Sequence, residues 1–175
     1  SLTKISIPSS IKTIEENTFE GCISLKEIEI PSSVTSLKEG SFIKCTSLKR
    51  IVIPESILSI GSKCFEECIS LQEITIPSSV TSIKSRCFSK CESLSQITIS
   101  SSVTIIEEKA FEGCTSLIGI TIPSTVKNIA SYCFKDCINL SEITIDPYQT
   151  SIKCNTFENC PLFETINISD TVTVI

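Results

Sequence analysis

Leu71-Gln72-Glu73-Ile74-Thr75-Ile76-Pro77-Ser78-Ser79-Val80-Thr81-Ser82-Ile83-Lys84-Ser85-Arg86-Cys87-Phe88-Ser89-Lys90-Cys91 recurs, apolar position for apolar position, 23 positions upstream and 23 positions downstream. Seven such copies, starting at residues 1, 24, 47, 70, 93, 116 and 139, and a partial one starting at 162, account for all 175 residues without a slip of register. A fixed period of this length is the mark of a solenoid, in which one short supersecondary unit is stacked on the next. The chain therefore reads as a single domain, 1–175. With Ser1 as position 1 of the repeat, each column can be read by itself.

Position 2 holds Leu2, Leu25, Leu48, Leu71, Leu94, Leu117, Leu140 and then Phe163, while positions 5 and 7 are Ile in every copy, from Ile5 and Ile7 to Ile166 and Ile168. Leu-x-x-Ile-x-Ile has the two-residue period of a short strand with one buried face. Pro8, Pro31, Pro54, Pro77 and Pro123 follow at position 8. Proline has no amide hydrogen, so each strand is expected to stop there after about three to five residues. Ile or Val at position 11, Ile or Leu at position 14, Phe at position 19 and Cys at position 22 complete the apolar set. Gly21 and Gly113, just before that Cys, suit a tight turn or a single short helical turn.

One copy buries too little apolar surface to offset the ordering of its own backbone, so stacking is compulsory. Identical residues then lie above one another at the strand spacing of about 4.8 Å. The Ser or Thr of position 10 (Ser10, Ser33, Ser56, Ser79, Ser102, Thr125, Thr171) is expected to hydrogen-bond neighbouring turn backbones, and the Ser of position 1 to cap the opposite corner.

Leu-x-x-Ile-x-Ile-Pro-x-Ser-Val-x-x-Ile followed by Phe-x-x-Cys resembles the BspA-like, treponemal-type leucine-rich repeats of surface proteins in mucosal bacteria and parasitic protozoa. The likeness covers the whole chain. It implies a leucine-rich-repeat solenoid, a β-rich right-handed superhelix or horseshoe of about eight coils, with a parallel sheet of short strands on its concave face. It also implies a cell-surface or secreted protein with a protein-binding or adhesive role towards a host matrix or cell-surface protein. The sequence departs from the pattern at position 18, where the usual Ala is replaced by Cys64, Cys87 and Cys133.

Composition narrows the chemistry. There is no His, so His-based catalytic triads and His-containing zinc sites are ruled out. A net charge of −5 argues against nucleic acid and anionic membranes as partners. Even an uncharged run as long as Ser93 to Ile106 is too short to span a bilayer, so no membrane insertion is expected in this segment. The chain lacks Met and begins and ends inside the repeat, and it is expected to be a piece of a longer one. No nucleophile stands with a base and no Gly-rich phosphate loop is present, so the chain reads as a non-enzyme with no cofactor. Of the eleven cysteines, seven form the position-22 column, three stand at position 18, and Cys154 stands alone at position 16. Reduced thiols packed as small apolar groups, reactive only after unfolding, are the leading reading. A few disulfides, or a metal bound by the pairs Cys64/Cys68, Cys87/Cys91 and Cys133/Cys137, are alternatives.

The outward strand positions, 4 and 6, form a continuous strip across the sheet. Here the residue type changes from copy to copy while the inward columns do not, as a tunable recognition surface requires. The expected protein-binding residues are Glu27, Glu29, Arg50, Glu73, Thr75, Gln96, Thr98, Thr121, Glu142 and Thr144. Copy seven breaks the pattern with Asp146-Pro147-Tyr148-Gln149, a tolerated bulge or a binding corner. Asn139-Leu140-Ser141 and Asn167-Ile168-Ser169 are sequons that matter only in a eukaryotic secretory pathway. End-to-end stacking of copies through the uncapped ends is possible. A cytoplasmic scaffold of the same fold, or a structural spacer, is the alternative function.

Overall fold

The computed structural model describes residues 3–145 and 151–167, with side chains given through residue 164. The chain winds as a solenoid whose coils each begin with a three- or four-residue strand at positions 4–6: β1 (Lys4–Ser6), β3 (Glu27–Glu29), β5 (Arg50–Val52), β7 (Glu73–Thr75), β9 (Gln96–Thr98), β11 (Gly119–Ile122), β13 (Glu142–Ile145) and β14 (Thr165–Asn167). A second, two-residue strand follows at positions 13–14 in the first six coils: β2 (Thr13–Ile14), β4 (Ser36–Leu37), β6 (Ser59–Ile60), β8 (Ser82–Ile83), β10 (Ile105–Ile106) and β12 (Asn128–Ile129). All pairings are parallel and one repeat out of step, as Ile28 with Ile51 and Ile74 with Ile97. The copies are not equal, however. In the seventh coil the second strand shrinks to one bridge, Ile129 with Ile152. The first strand row also divides, into five strands ending at β9 and three beginning at β11.

The strands stop before position 8, also where Ser100 stands in place of proline. The carbonyl of Pro31, Pro54, Pro77 or Pro123 accepts the N–H of position 11 at 3.0–3.1 Å, turning the chain towards the second strand. The position-10 hydroxyl then reaches the preceding coil. Ser56, Ser102 and Thr125 each donate to the position-11 carbonyl below at 2.7 Å, and Ser79 does the same to Ile57. Ser33 is the exception, with a buried Oγ that has no partner.

Positions 16–21 return the chain without a helix in any described coil. Amides alternate in direction. In the fourth coil Arg86, Phe88 and Lys90 donate to Glu108, Ala110 and Glu112 of the next coil at 2.6–3.0 Å, while Cys87, Ser89 and Cys91 donate back within their own turn at 3.1 Å. This alternation requires a left-handed residue at positions 17 and 21. Every coil supplies both, from Asn17 (φ 55°) and Gly21 (φ 65°) to Asn155 and Asn159 (both φ 58°). Gly21 and Gly113 thus sit in tight turns and not in a helical turn.

Inside, the Leu, Ile, Val, Phe and Cys columns form one continuous core. The rings of Phe19, Phe42, Phe65, Phe88, Phe111, Phe134 and Phe157 stack at centroid spacings of 5.1–5.7 Å, and Phe163, which replaces Leu at position 2, continues the stack at 4.5 Å. Through the first seven rings these steps are longer than the roughly 4.8 Å between paired strands. The strands of positions 4–6 form the face that the repeat pattern assigns to the concave side.

Candidate functional site: the concave strip

Alternation places Ile28, Ile51, Ile74, Ile120 and Ile143 inward and leaves their neighbours on each strand exposed. Glu27 and Glu29 flank Ile28 on β3, Arg50 and the exposed Val52 flank Ile51 on β5, and Glu73 and Thr75 flank Ile74 on β7. Gln96 and Thr98 occupy β9, Thr121 lies on β11, and Glu142 and Thr144 lie on β13. All ten expected residues are exposed on this one face.

Four of the charges along the strip are partnered with one another. Lys4 Nζ lies 3.4 Å from Glu27 Oε1, and Arg50 Nε lies 3.2 Å from Glu73 Oε1, each pair joining residues in register on adjacent strands. With side chains more than half exposed, such pairs are screened by water and add little to stability. They can be exchanged without cost to the core. Three open depressions lie along the same face. Two, of about 290 and 310 Å³, centre on Arg50 and Val52, and the third, of about 610 Å³, lies over Gly119.

The opposite side is more constrained. Glu39 pairs with Lys63 at 2.9 Å and Glu107 with Lys84 at 2.8 Å. Lys109 lies 4.0 Å from Glu112 and, with Lys135, holds its ammonium 5.5–5.6 Å from the ring centre of Tyr132.

The eleven cysteines are free, eight of them buried, Cys22 and Cys160 half-buried, and Cys154 exposed. The expectation that all react only after unfolding thus fails at Cys154, because position 16 faces solvent. The buried ones also do more than fill space. Cys45, Cys68, Cys91, Cys114 and Cys137 each donate Sγ–H to the position-19 carbonyl of the coil below at 3.1–3.2 Å. That carbonyl already accepts the N–H of its own coil's Cys, so the thiol satisfies its second lone pair. Burial pushes the Cys64 thiol up to about 12, and raises Cys68, Cys87, Cys91, Cys114, Cys133 and Cys137 as well. Cys45 is lowered instead, chiefly by the neighbouring Cys68 thiol. Among the described residues no group of three or more His, Cys, Asp or Glu is placed to hold a metal ion. The Asp146–Gln149 corner lies outside the described residues.

The family model of the BspA type leucine rich repeat region matches residues 1–118 and 58–175, which together span the chain. The chain belongs to the BspA-type leucine-rich repeat family. Among solved structures, it is similar to the T. pallidum leucine-rich repeat protein, with 31% identity over 93% of this chain and 78% of that one and a TM-score of 0.85. It is also similar to a leucine-rich cell-surface protein of Faecalibacterium prausnitzii, at 37% identity and a TM-score of 0.73. That match covers 83% of this chain but only 39% of the larger protein. A leucine-rich repeat protein of Bacteroides ovatus, 23% identical over 97% of this chain and 58% of that one with a TM-score of 0.56, shares the fold. No curated protein matches. For a BspA-type repeat the expected parallel sheet, turn and core columns are all in place. No helix among the described residues is long and apolar enough to cross a membrane.

Proposed function

We propose that this repeat stack is a non-enzymatic protein-binding module of the cell surface that engages its partner across the concave strip. The observation that carries this reading is the coincidence, on one face, of the varying columns, the three depressions, and charged side chains whose bonds to each other are weak enough to be traded for bonds to a partner. The partner lies along the stack and touches several coils at once, because a single strand presents only two outward side chains. The F. prausnitzii relative's description as a cell-surface protein supports the location, and a host matrix or cell-surface protein is the partner class we propose there. Eleven unpaired cysteines favour the second reading, a scaffold in a reducing compartment. Burial of eight of them lets the stack survive outside one.

The test exchanges the charges of Arg50 and Glu73, as Arg50→Glu with Glu73→Arg. The reversed pair re-forms, so the fold stays intact while the pattern met by a partner is inverted. Lys109 is unsuitable for a control because Glu112 and Tyr132 anchor it. The control is Glu20→Lys with Lys44→Glu, on the exposed turn side. Binding to immobilised extracellular matrix proteins and to whole cells should fall about tenfold for the concave variant and lose its former salt dependence. Loss in the turn-side variant alone would move the site to the other face.

A further inference from the structure

Position 4 of the strip repeats one motif: a carboxylate on one strand faced, in register, by a cation on the strand before it. Lys4 faces Glu27 and Arg50 faces Glu73 in this way, at 3.4 and 3.2 Å. The third such carboxylate, Glu142, is exposed and faces Gly119. Glu142 makes no ion pair among the described residues, and the place that Lys4 and Arg50 fill elsewhere carries no side chain.

Nothing in the fold demands glycine there. Gly119 lacks the left-handed backbone of Gly21, Gly40 and Gly113, and a Cβ built on it meets only the Glu142 carbonyl oxygen at 3.6 Å, an ordinary contact. The missing side chain instead opens the largest of the three depressions, lined by Gln96, Thr98, Gly119, Thr121, Glu142 and Thr144. The sheet also parts at this point. β9 and β11 are not hydrogen-bonded, and Ile97 is only partly buried where the equivalent isoleucines of β3, β5, β7, β11 and β13 are buried.

We propose that the notch at Gly119 is the anchoring subsite of the concave face, and that it takes an arginine side chain from the protein partner, whose guanidinium pairs with Glu142 as Arg50 pairs with Glu73. The proposal rests on the concave-face reading above. The guanidinium fits because its planar donors match the Glu142 carboxylate, with the Gln96 amide oxygen and the hydroxyls of Thr98, Thr121 and Thr144 lining the same depression to accept the rest. An incoming arginine meets no competing cation at this carboxylate, whereas at Glu27 or Glu73 it would have to displace one.

The experiment titrates N-acetyl-arginine N-methylamide, and the equivalent citrulline derivative, into the isotope-labelled protein and follows backbone amide shifts. Citrulline has nearly the same shape but no charge. Arginine should give saturating shifts at Gln96, Gly119, Thr121 and Glu142, and citrulline should not. Glu142→Gln, and Gly119→Arg with its own tethered guanidinium, should each weaken arginine about tenfold or more. Gly119→Ala, which leaves the notch open, should bind as the original. Equal shifts from citrulline, shifts centred on Glu27 or Glu73, or unchanged affinity in Gly119→Arg would each overturn the proposal. The spectra report whether each variant is folded, and Glu142→Gln tests the pairing without altering the strand backbone. Matrix binding that survives in Gly119→Arg but not in the Arg50/Glu73 exchange removes the notch and leaves the concave reading standing. Binding lost in neither removes both.

Discussion

The turn side and the strand side of each coil carry the same repeat under different constraints. On the turn side every element touches its own copy above and below: the amides of positions 17, 19 and 21 donate upward, the phenyl rings stack face to face, and the thiol of position 22 bonds the carbonyl beneath it. A change in one copy is felt in two others, so Phe and Cys recur without exception. On the strand side the outward columns share the backbone ladder and two exposed ion pairs, and positions 4 and 6 point to solvent. There the copies run from Lys to Glu to Gly, and the strands stay paired from β1 to β9 and again from β11 to β14. Repetition therefore marks what a coil owes its neighbours, and variation marks what it offers to something else.

The largest effect that separates the two sides is alkaline. Cys64, Cys68, Cys87, Cys91, Cys114, Cys133 and Cys137 are raised by burial above an ordinary value near 9. Below pH 9 they are protonated in both the folded and the unfolded chain, and their burial contributes fully. Above it the unfolded chain ionises first, binds fewer protons, and stability falls. Each thiol loses on the order of 1 kcal/mol by one pH unit above that value. Seven together approach the whole stability of an ordinary domain, roughly 5–15 kcal/mol. Thermal unfolding should hold steady from pH 7 to 8 and collapse by about pH 10. A melting temperature flat to pH 10.5 would mean the column is solvated and the turn side is misread.

A smaller contrast comes from single residues. Phe88 is fully buried between Phe65 and Phe111 at 5.6 and 5.5 Å, and Phe88→Ala should cost roughly 3–5 kcal/mol. Lys84 is partly exposed and holds only Glu107, at 2.8 Å, so Lys84→Ala should cost about 0.5 kcal/mol. Urea midpoints decide it, and equal midpoints would break the assignment of columns.

Most of the stack is legible in the sequence because a strict period fixes register. Once Ile74 is placed inward, Ile28, Ile51, Ile97 and Ile120 follow, and Glu73 and Thr75 must point out. Even the Arg50–Glu73 pair can be read as opposite charges one repeat apart. The thiol bonds cannot, because Cys91 reaches Phe65, 26 residues back, only through the offset between neighbouring coils. Left-handed backbone at Lys44, Lys63, Arg86 and Tyr132 is hidden as well, since these side chains carry none of glycine's signal and the ladder forces the conformation on them. The parting of the sheet beyond β9 and the shrunken second strand of the seventh coil are likewise local geometry that a repeating pattern averages away.

The finest test applies one substitution to both sides. Gly21 has φ +65° and open space around a built Cβ, so Gly21→Ala introduces backbone strain and no clash. A non-glycine residue in the left-handed region costs about 1–2 kcal/mol, part of which is returned by the lower entropy of alanine in the unfolded chain. A net loss of about 1 kcal/mol is expected. Gly119 lies on an exposed strand with no left-handed φ, and there the same exchange meets an ordinary contact at 3.6 Å. Gly119→Ala should stabilise by about 0.4–1 kcal/mol, because only the unfolded chain loses freedom. Opposite signs in urea midpoints would show that the turn glycine answers to the ladder while the strand glycine answers to nothing inside the fold. That leaves its absent side chain to be explained by what binds above it. A loss at Gly119 as large as that at Gly21 would instead make glycine a structural need of the sheet, and the notch a by-product of it.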